Sequence, residues 1–201
     1  MKRLLMNELD VWKASKKRKP LIIQGARQVG KTWIMKEFGE KSFEKVVYLN
    51  FESSDRLKNL FTLDFDIERI IAVMEIETDI KINAADTLLI FDEIQEAEKG
   101  LTALKCFYEK APQYFIVAAG SLLGISIQKN NSFPVGKVDF LKLHPLSFEE
   151  FLENIGEQKL LQNLIKNDWN ILSIFHEKLI EFLRLYYFIG GMPEEIGRAH
   201  V

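Results

Sequence analysis

Residues that build disulfides and zinc sites are scarce in this sequence. A single cysteine, Cys106, excludes a disulfide within the chain and suits a reducing compartment. Because Cys106 lies in an amphipathic stretch, we expect a buried structural thiol rather than a nucleophile. The three histidines, His144, His176 and His200, are scattered without the spacing of metal ligands. The composition therefore excludes a disulfide scaffold and indicates no metal site built from these residues.

Long apolar runs and a strong net charge are also missing. No window approaches the ~18 apolar residues of a membrane-spanning helix, and the N-terminus lacks the apolar core of a signal peptide. A net charge of −2 argues against a protein that binds nucleic acid through an overall positive potential. We therefore expect a cytoplasmic protein with no membrane partner. Its 201 residues, 47% of them hydrophobic, suffice for one core domain with a small appendage.

What the sequence does contain is a complete phosphate-binding loop of the form G-x-x-x-x-G-K-T. Its residues are Gly25, Ala26, Arg27, Gln28, Val29, Gly30, Lys31 and Thr32. An apolar run leads into the loop, and a helix-compatible stretch leads out of it from Trp33. The glycines allow a tight turn whose N–H groups point into one concavity, at the positive end of the helix dipole. Lys31 reaches the outer phosphates and the Thr32 hydroxyl ligates Mg²⁺, so residues 25–33 are predicted to bind a nucleoside triphosphate.

A second motif, about sixty residues further on, is an apolar run that ends in two acids, Asp92 and Glu93. The run predicts a buried strand of a parallel sheet, and ligand sites lie outside the carboxyl ends of such strands. Both acids are therefore predicted at the same edge as the phosphate loop. Since Mg²⁺ takes only one or two carboxylates beside the phosphates, Asp92 is predicted to organise the metal shell. Glu93 is predicted to polarise the attacking water.

Strands and helices alternate as far as residue 143, and only helices follow. Strands are predicted at residues 21–23, 45–50, 87–91, 113–119 and 138–143, and helices at 1–15, 33–38, 67–76, 97–110, 148–154, 159–167 and 171–188. The order predicts an α/β fold, with a doubly wound, mainly parallel five-stranded P-loop NTPase sheet in residues 1–145. A small helical lid-like segment is predicted at 146–195. Ser147 and Glu150 predict a capping box at its first helix.

Two polar features each allow two interpretations. Ser121 follows the fourth strand, where its hydroxyl either senses the γ-phosphate of a nucleotide or caps a helix that begins at Leu122. The basic run Lys16-Lys17-Arg18-Lys19 either contacts the phosphate backbone of a nucleic acid or is a solvated linker. We favour the solvated linker, because four basic residues before a strand are weak support for a nucleic-acid partner.

Taken together, these motifs resemble those of AAA+ ATPases. More narrowly, they are similar to a family of prokaryotic ATPases that carries a C-terminal domain of unknown function. The resemblance rests on the phosphate loop and on segments 91–95, 119–121, 134–137, 145–151 and 190–194. It implies ATP as the nucleotide, a conformational change driven by ATP, and a sheet in which the strand before Ser121 lies between the other two functional strands. A homo-oligomer and an unidentified protein partner stay open.

The chain departs from this family in two places. Members often have Gly-Arg where this chain has Gly136-Lys137, and lysine lacks the planar fork with which arginine grips phosphate. A solvated Lys137 is therefore favoured over a catalytic finger, with Arg27, Arg56 and Arg184 as other candidates. The family's C-terminal domain would begin just after residues 190–194, so we expect a fragment. Residues 196–201 resemble a translated sequencing adapter, and we expect them to be a non-native tail.

Three functions fit these observations, and an ATPase fits best. A binding module that holds ATP without turnover has no use for Glu93. A phosphotransferase usually needs several arginines over the phosphates, whereas the segment after Ser121 offers only Lys129 and Lys137. No guanine-reading element follows the strand that carries Asp92, and the choice of adenine rests on the resemblance.

Overall fold

A computed structural model describes residues 1–120 and 136–193 of the chain. The chain divides into two compact units. The sheet unit comprises the described residues of Leu5–Gly25 and Lys31–Leu143. The helical unit comprises Met1–Leu4, Ala26–Gly30 and the described residues from His144 onward. Ser121 lies outside the described residues, so both of its interpretations stay predictions.

Parallel strands form the centre of the sheet unit. In the described part of the chain they are β1 (Leu21–Gln24), β2 (Lys45–Asn50), β3 (Thr87–Asp92), β4 (Phe115–Ala119) and β5 (Asp139–Lys142). Their order across the sheet is β2-β3-β4-β1-β5, and every neighbouring pair runs parallel. The predicted α/β fold with a five-stranded parallel sheet is confirmed. So is the implied position of β4 between β1 and β3.

Burial explains why β3 was predictable as a strand. All six of its residues are buried, including Thr87 at its start and Asp92 at its end. Strands covered on both faces carry continuous apolar runs, and polar residues then mark where the run stops. The sheet edge at which Asp92 emerges is therefore specified locally by the sequence.

Helices occur in both units. Over the described residues they are α1 (Leu5–Ala14), α2 (Lys31–Ser42), α3 (Asp55–Lys58), α4 (Ile67–Thr78), α5 (Gly100–Lys110), α6 (Phe148–Asn154), α7 (Gln158–Ile165), α8 (Trp169–Ile174) and α9 (His176–Ile189), with a 3-10 turn at Ile94–Glu96. Helix α1 begins at Leu5, whereas residues 1–4 belong to the helical unit. Its buried Trp12 packs against the rings of Phe38 and Phe115, with centroids 6.3 and 6.2 Å away. None of the helices in the described residues is long and apolar enough to cross a membrane.

One residue of the basic run is structural. The Arg18 guanidinium lies 3.7 Å from the ring centroid of Phe115, and its Nη2 donates to the Gln113 carbonyl at 3.0 Å. Burial lowers the pKa of Arg18 from its ordinary value. The expectation of four solvated basic side chains is therefore wrong for Arg18, because stacking on an aromatic ring offsets the loss of water.

The helical unit has its own small core. It is built from Leu146, Phe151, Leu152, Leu161 and Ile189, with Phe148 and Tyr186 packed against them. The predicted capping box is confirmed, since Ser147 Oγ accepts from the Glu150 N–H at 3.1 Å and Glu150 Oε2 accepts from the Ser147 N–H at 3.0 Å. The hydroxyl of Tyr186 donates to the Leu146 carbonyl at 2.8 Å, which ties α9 to the chain before α6.

The single helix predicted at residues 171–188 is wrong. The structure has two helices, α8 and α9, separated at Phe175, whose φ and ψ of −100° and 19° leave the helical region. The Asp168 side chain caps α8 by accepting from the Ile171 N–H at 3.3 Å. Apolar residues recur at helical spacing through the break, so the periodicity alone did not reveal it.

Candidate nucleotide site

The phosphate loop occupies the turn between β1, which ends at Gln24, and α2, which begins at Lys31. Two of its residues adopt left-handed backbone conformations, Gln28 with φ of 63° and Gly30 with φ of 90°. Alternation of this kind turns successive N–H groups toward a common concavity, which suits an anion. Ala26, Arg27 and Gln28 are exposed, whereas Val29 is buried and anchors the loop. Trp33 is half-buried in the first turn of α2.

Lys31 is buried although it carries a charge. Only 7% of the residue is exposed, and its Nζ donates to the Gly25 carbonyl at 3.0 Å. The Lys31 side chain therefore reaches back across the loop to its first residue, Gly25. A buried ammonium needs such acceptors, and phosphate oxygens are stronger acceptors than a carbonyl.

The structure brings together the two residues predicted to hold a metal. Thr32 Oγ1 donates to Asp92 Oδ2 at 2.6 Å, although the residues are 60 positions apart in the chain. Asp92 is 4% exposed, so its carboxylate depends on protein donors. A hydroxyl and a carboxylate are hard oxygen ligands, the chemistry that Mg²⁺ prefers. In the described residues, no group of three or more His, Cys, Asp or Glu could hold a metal ion.

Tyr48 also belongs to this site, and sequence reasoning missed it. Its hydroxyl donates to Asp92 Oδ2 at 3.0 Å, and the Lys36 ammonium lies 3.7 Å from the centroid of its ring. The pKa of Tyr48 is raised, first by burial and then by the negative charge of Asp92. The sequence alone did not indicate this contact, because it depends on the pairing of β2 with β3, in which Tyr48 lies opposite Ile90.

Glu93 follows β3 in a left-handed conformation, with φ of 51° and ψ of 46°. Such a backbone costs of order 1–3 kcal/mol in a residue other than glycine, and strain of this kind clusters at functional sites. The Glu93 N–H donates to Asp92 Oδ1 at 3.2 Å. Its carboxylate accepts a short hydrogen bond from the Gln95 side-chain amide, a second contact that sequence reasoning missed. Gln95 thereby restrains the carboxylate that was predicted to polarise water.

The remaining candidates lie in ordinary surroundings. Lys137 forms a surface ion pair with Glu109 at 3.2 Å, and Arg56 pairs with Glu77 at 3.6 Å while its side chain is 84% exposed. Cys106 is half-buried, and burial raises the pKa of its thiol, which lowers its reactivity at neutral pH. None of these contacts is made with a residue of the phosphate loop.

The parallel sheet, the phosphate loop at the end of β1 and the acids at the end of β3 define a P-loop nucleotide-binding protein. A family model described as an AAA domain matches residues 17–152, which is more than half of the chain. The chain therefore belongs to this AAA domain family, and it is a nucleotide-binding protein of the AAA+ type. A comparison with curated proteins found no match.

Solved structures give more distant likenesses. The ORC2 protein of Aeropyrum pernix, in ADPNP–ADP complexes, is 16% identical, with a TM-score of 0.49 over 80% of this chain and 52% of that one. The ORC1 protein of the same organism, in complex with DNA, is 12% identical, with a TM-score of 0.45 over 77% and 47%. Cdc6p from Pyrobaculum aerophilum is 14% identical, with a TM-score of 0.47 over 78% and 50%. The chain spans about half the length of these proteins.

Proposed function

We propose that this protein is a Mg²⁺-dependent ATPase that couples the state of its nucleotide to a conformational change. The observation that carries the proposal is the 2.6 Å hydrogen bond between Thr32 Oγ1 and Asp92 Oδ2. It joins the two sequence motifs at Thr32, the residue that follows the buried Lys31. Family membership supports nucleotide binding, while hydrolysis rests on the side chains of this site.

Binding falls to the loop. The N–H groups of residues 25–32 surround the phosphates, and Lys31 exchanges its bond with the Gly25 carbonyl for bonds with phosphate oxygens. Thr32 and Asp92 would hold Mg²⁺, which would neutralise the charge that develops on the phosphates. Tyr48 keeps Asp92 oriented through its bond to Oδ2. Trp33, in the first turn of α2, is retained as a nucleotide-binding residue next to the loop.

Hydrolysis falls to Glu93. Its carboxylate follows the metal-shell acid directly, and the strained backbone at this position fixes where the side chain leaves the strand. A carboxylate so placed orients a water and accepts its proton. Ser121 is retained as the sensor of the γ-phosphate, since it follows the strand between β1 and β3. We expect the protein to work in the cytoplasm. We also expect its conformational change to act on a second copy of the chain or on another protein.

One observation favours a second candidate function, a nucleotide-binding switch without significant turnover. The Glu93 carboxylate is engaged by the Gln95 amide, and a base held in this way has less freedom to accept a proton. Nothing in the described residues adds support for a phosphotransferase.

ATP turnover in the presence and absence of Mg²⁺ tests the proposal, with Lys31→Ala as the matched variant. We expect Mg²⁺-dependent phosphate release by the parent, and a folded Lys31→Ala protein that binds no measurable ATP. A rate per chain that rises with protein concentration would indicate that a neighbouring copy completes the site. Unchanged nucleotide affinity in folded Lys31→Ala would refute the assignment of the loop, and binding without turnover would favour the switch.

A further inference from the structure

A buried ion pair joins the N-terminal segment to α6 within the helical unit. Arg3 Nε donates to Glu150 Oε1 at 3.2 Å, and the two side chains are 3% and 8% exposed. The Leu4 N–H donates to the same carboxylate oxygen at 2.7 Å, while Oε2 serves the capping box of α6. A charge pair this deeply buried is tolerated only when its remaining polar atoms are also satisfied.

The two other guanidinium nitrogens each donate to a backbone carbonyl. Arg3 Nη1 donates to the Val29 carbonyl in the phosphate loop at 3.2 Å. Arg3 Nη2 donates to the His144 carbonyl, ahead of α6, at 2.5 Å. The planar guanidinium of Arg3 therefore contacts the phosphate loop, the segment before α6 and the capping Glu150 at the same time. The single ammonium of a lysine does not provide this geometry.

We propose that Arg3 is a positioning residue for nucleotide binding, one that fixes the peptide group between Val29 and Gly30. Because a trans peptide is planar, its C=O and N–H point in opposite directions. A Val29 carbonyl held by Arg3 therefore aims the Gly30 N–H away from Arg3. This inference rests on the proposed nucleotide site, since the Gly30 N–H is one of the loop donors that face phosphate there.

A glycine follows this peptide, so the backbone there can rotate. Gly30 has φ of 90°, and glycine populates both signs of φ with similar ease. Rotation of the peptide by half a turn would exchange an N–H donor for a carbonyl that repels phosphate. The bond from Arg3 makes that rotation unfavourable before the nucleotide arrives, and such preorganisation raises affinity without adding a contact to the ligand.

The same bonds connect the loop to α6. If the contacts of Arg3 with Glu150, Val29 and His144 hold the loop in its binding conformation, then a bound nucleotide must in turn stabilise these contacts. The reason is that coupling between two sites is reciprocal. The N-terminal segment and the first turn of α6 should therefore exchange their amide hydrogens more slowly when nucleotide is present. A purely structural ion pair predicts no such response.

The test compares Arg3→Lys and Arg3→Met with Lys2→Met. Lys2 is the matched control because it forms an ion pair between the same two segments, Nζ to Glu153 Oε1 at 2.7 Å, but its side chain is 71% exposed. Affinity for ADP with Mg²⁺ is measured by calorimetry well below the melting temperature of each variant. We expect both Arg3 variants to bind about tenfold more weakly, which corresponds to ~1.4 kcal/mol, and Lys2→Met to bind within twofold of the parent.

The outcomes separate the two proposals. Lower melting temperatures with unchanged ADP affinity in the Arg3 variants would show that the pair is only structural, and would overturn the inference. Failure of the parent to bind ADP or ATP would refute the proposed function itself. If neither Arg3 variant folds, hydrogen exchange of the parent protein distinguishes a positioning role of Arg3 from a purely structural one. Protection of residues 1–8 and 147–154 by saturating ADP supports the inference, and protection confined to residues 25–32 overturns it.

Discussion

Replacement of Tyr48 by phenylalanine tests whether the buried Asp92 carboxylate is held by the donors that the structure shows. The hydroxyl donates to Asp92 Oδ2 at 3.0 Å, while Thr32 Oγ1 and the Glu93 N–H donate to the same carboxylate at 2.6 and 3.2 Å. Phenylalanine keeps the ring beneath the Lys36 ammonium and removes only the hydroxyl. The change therefore isolates one hydrogen bond to a charged acceptor.

The expected loss follows from the burial of Asp92. A hydrogen bond to a charged group contributes about 1.5–3 kcal/mol, and Asp92 is only 4% exposed, so water replaces the lost donor poorly. Because two donors stay in place, we expect the lower half of this range, about 1.5–2 kcal/mol. For a protein of this size that lowers the melting temperature by roughly 3–8 °C.

The pH dependence gives a second readout. The folded state raises the pKa of Tyr48, through burial first and Asp92 second, so the folded protein favours the neutral hydroxyl. Stability from this source is complete below the ordinary tyrosine pKa of about 10, and it is lost as the pH rises toward the folded-state value. The stability difference between the parent and Tyr48→Phe should therefore shrink above about pH 10.

Thermal and urea unfolding followed by circular dichroism measure both effects. Tyr186→Phe is the matched comparison, since its hydroxyl donates at 2.8 Å to a neutral carbonyl, that of Leu146, and its loss should cost about 0.5–1.5 kcal/mol. Equal melting temperatures for the parent and Tyr48→Phe would show that the Tyr48 hydroxyl does not stabilise Asp92. A stability difference between them that stays constant from pH 8 to 11 would contradict the raised pKa of Tyr48.

Three further substitutions test the metal site, the role of Ser121 and the turn at Gly191. Asp92→Asn should weaken ATP binding with Mg²⁺, or turnover, far more than metal-free nucleotide binding, and equal losses in calorimetry would contradict a metal role. Ser121→Ala should spare ADP affinity and lower turnover, whereas a lower melting temperature with normal turnover would favour the helix cap. Gly191→Ala should destabilise the helical unit by more than ~1 kcal/mol, because Gly191 has φ of 68° and a Cβ would lie 2.7 Å from the Leu146 carbonyl. An unchanged unfolding transition would show that this turn adapts.

The parts of the site that were predictable are those specified by neighbours in the chain. The loop at 25–32 is a local motif, and β3 is a buried run with a polar residue at each end. Ser147 and Glu150 form their capping box within one helical turn, so their spacing alone predicted it. In each case the determining contacts span only a few residues.

The parts that were missed depend on contacts between distant segments. Tyr48 reaches Asp92 only because β2 pairs with β3 in a particular register. Arg3 meets Glu150 and the phosphate loop across 147 and 26 positions of the chain. No periodicity encodes such contacts, and a lone arginine near the N-terminus looks like any solvated charge.

We propose that Glu93 is the base for ATP hydrolysis, and ATP turnover by Glu93→Gln, measured together with its ATP affinity, tests this role. The amide keeps the shape of the side chain but is a far poorer proton acceptor, and a general base typically contributes ~10²–10⁴-fold to a rate. We expect Glu93→Gln to bind ATP with Mg²⁺ as tightly as the parent does and to hydrolyse it at least ~10²-fold more slowly. Turnover within a few-fold of the parent, at equal affinity, would show that Glu93 is not the base.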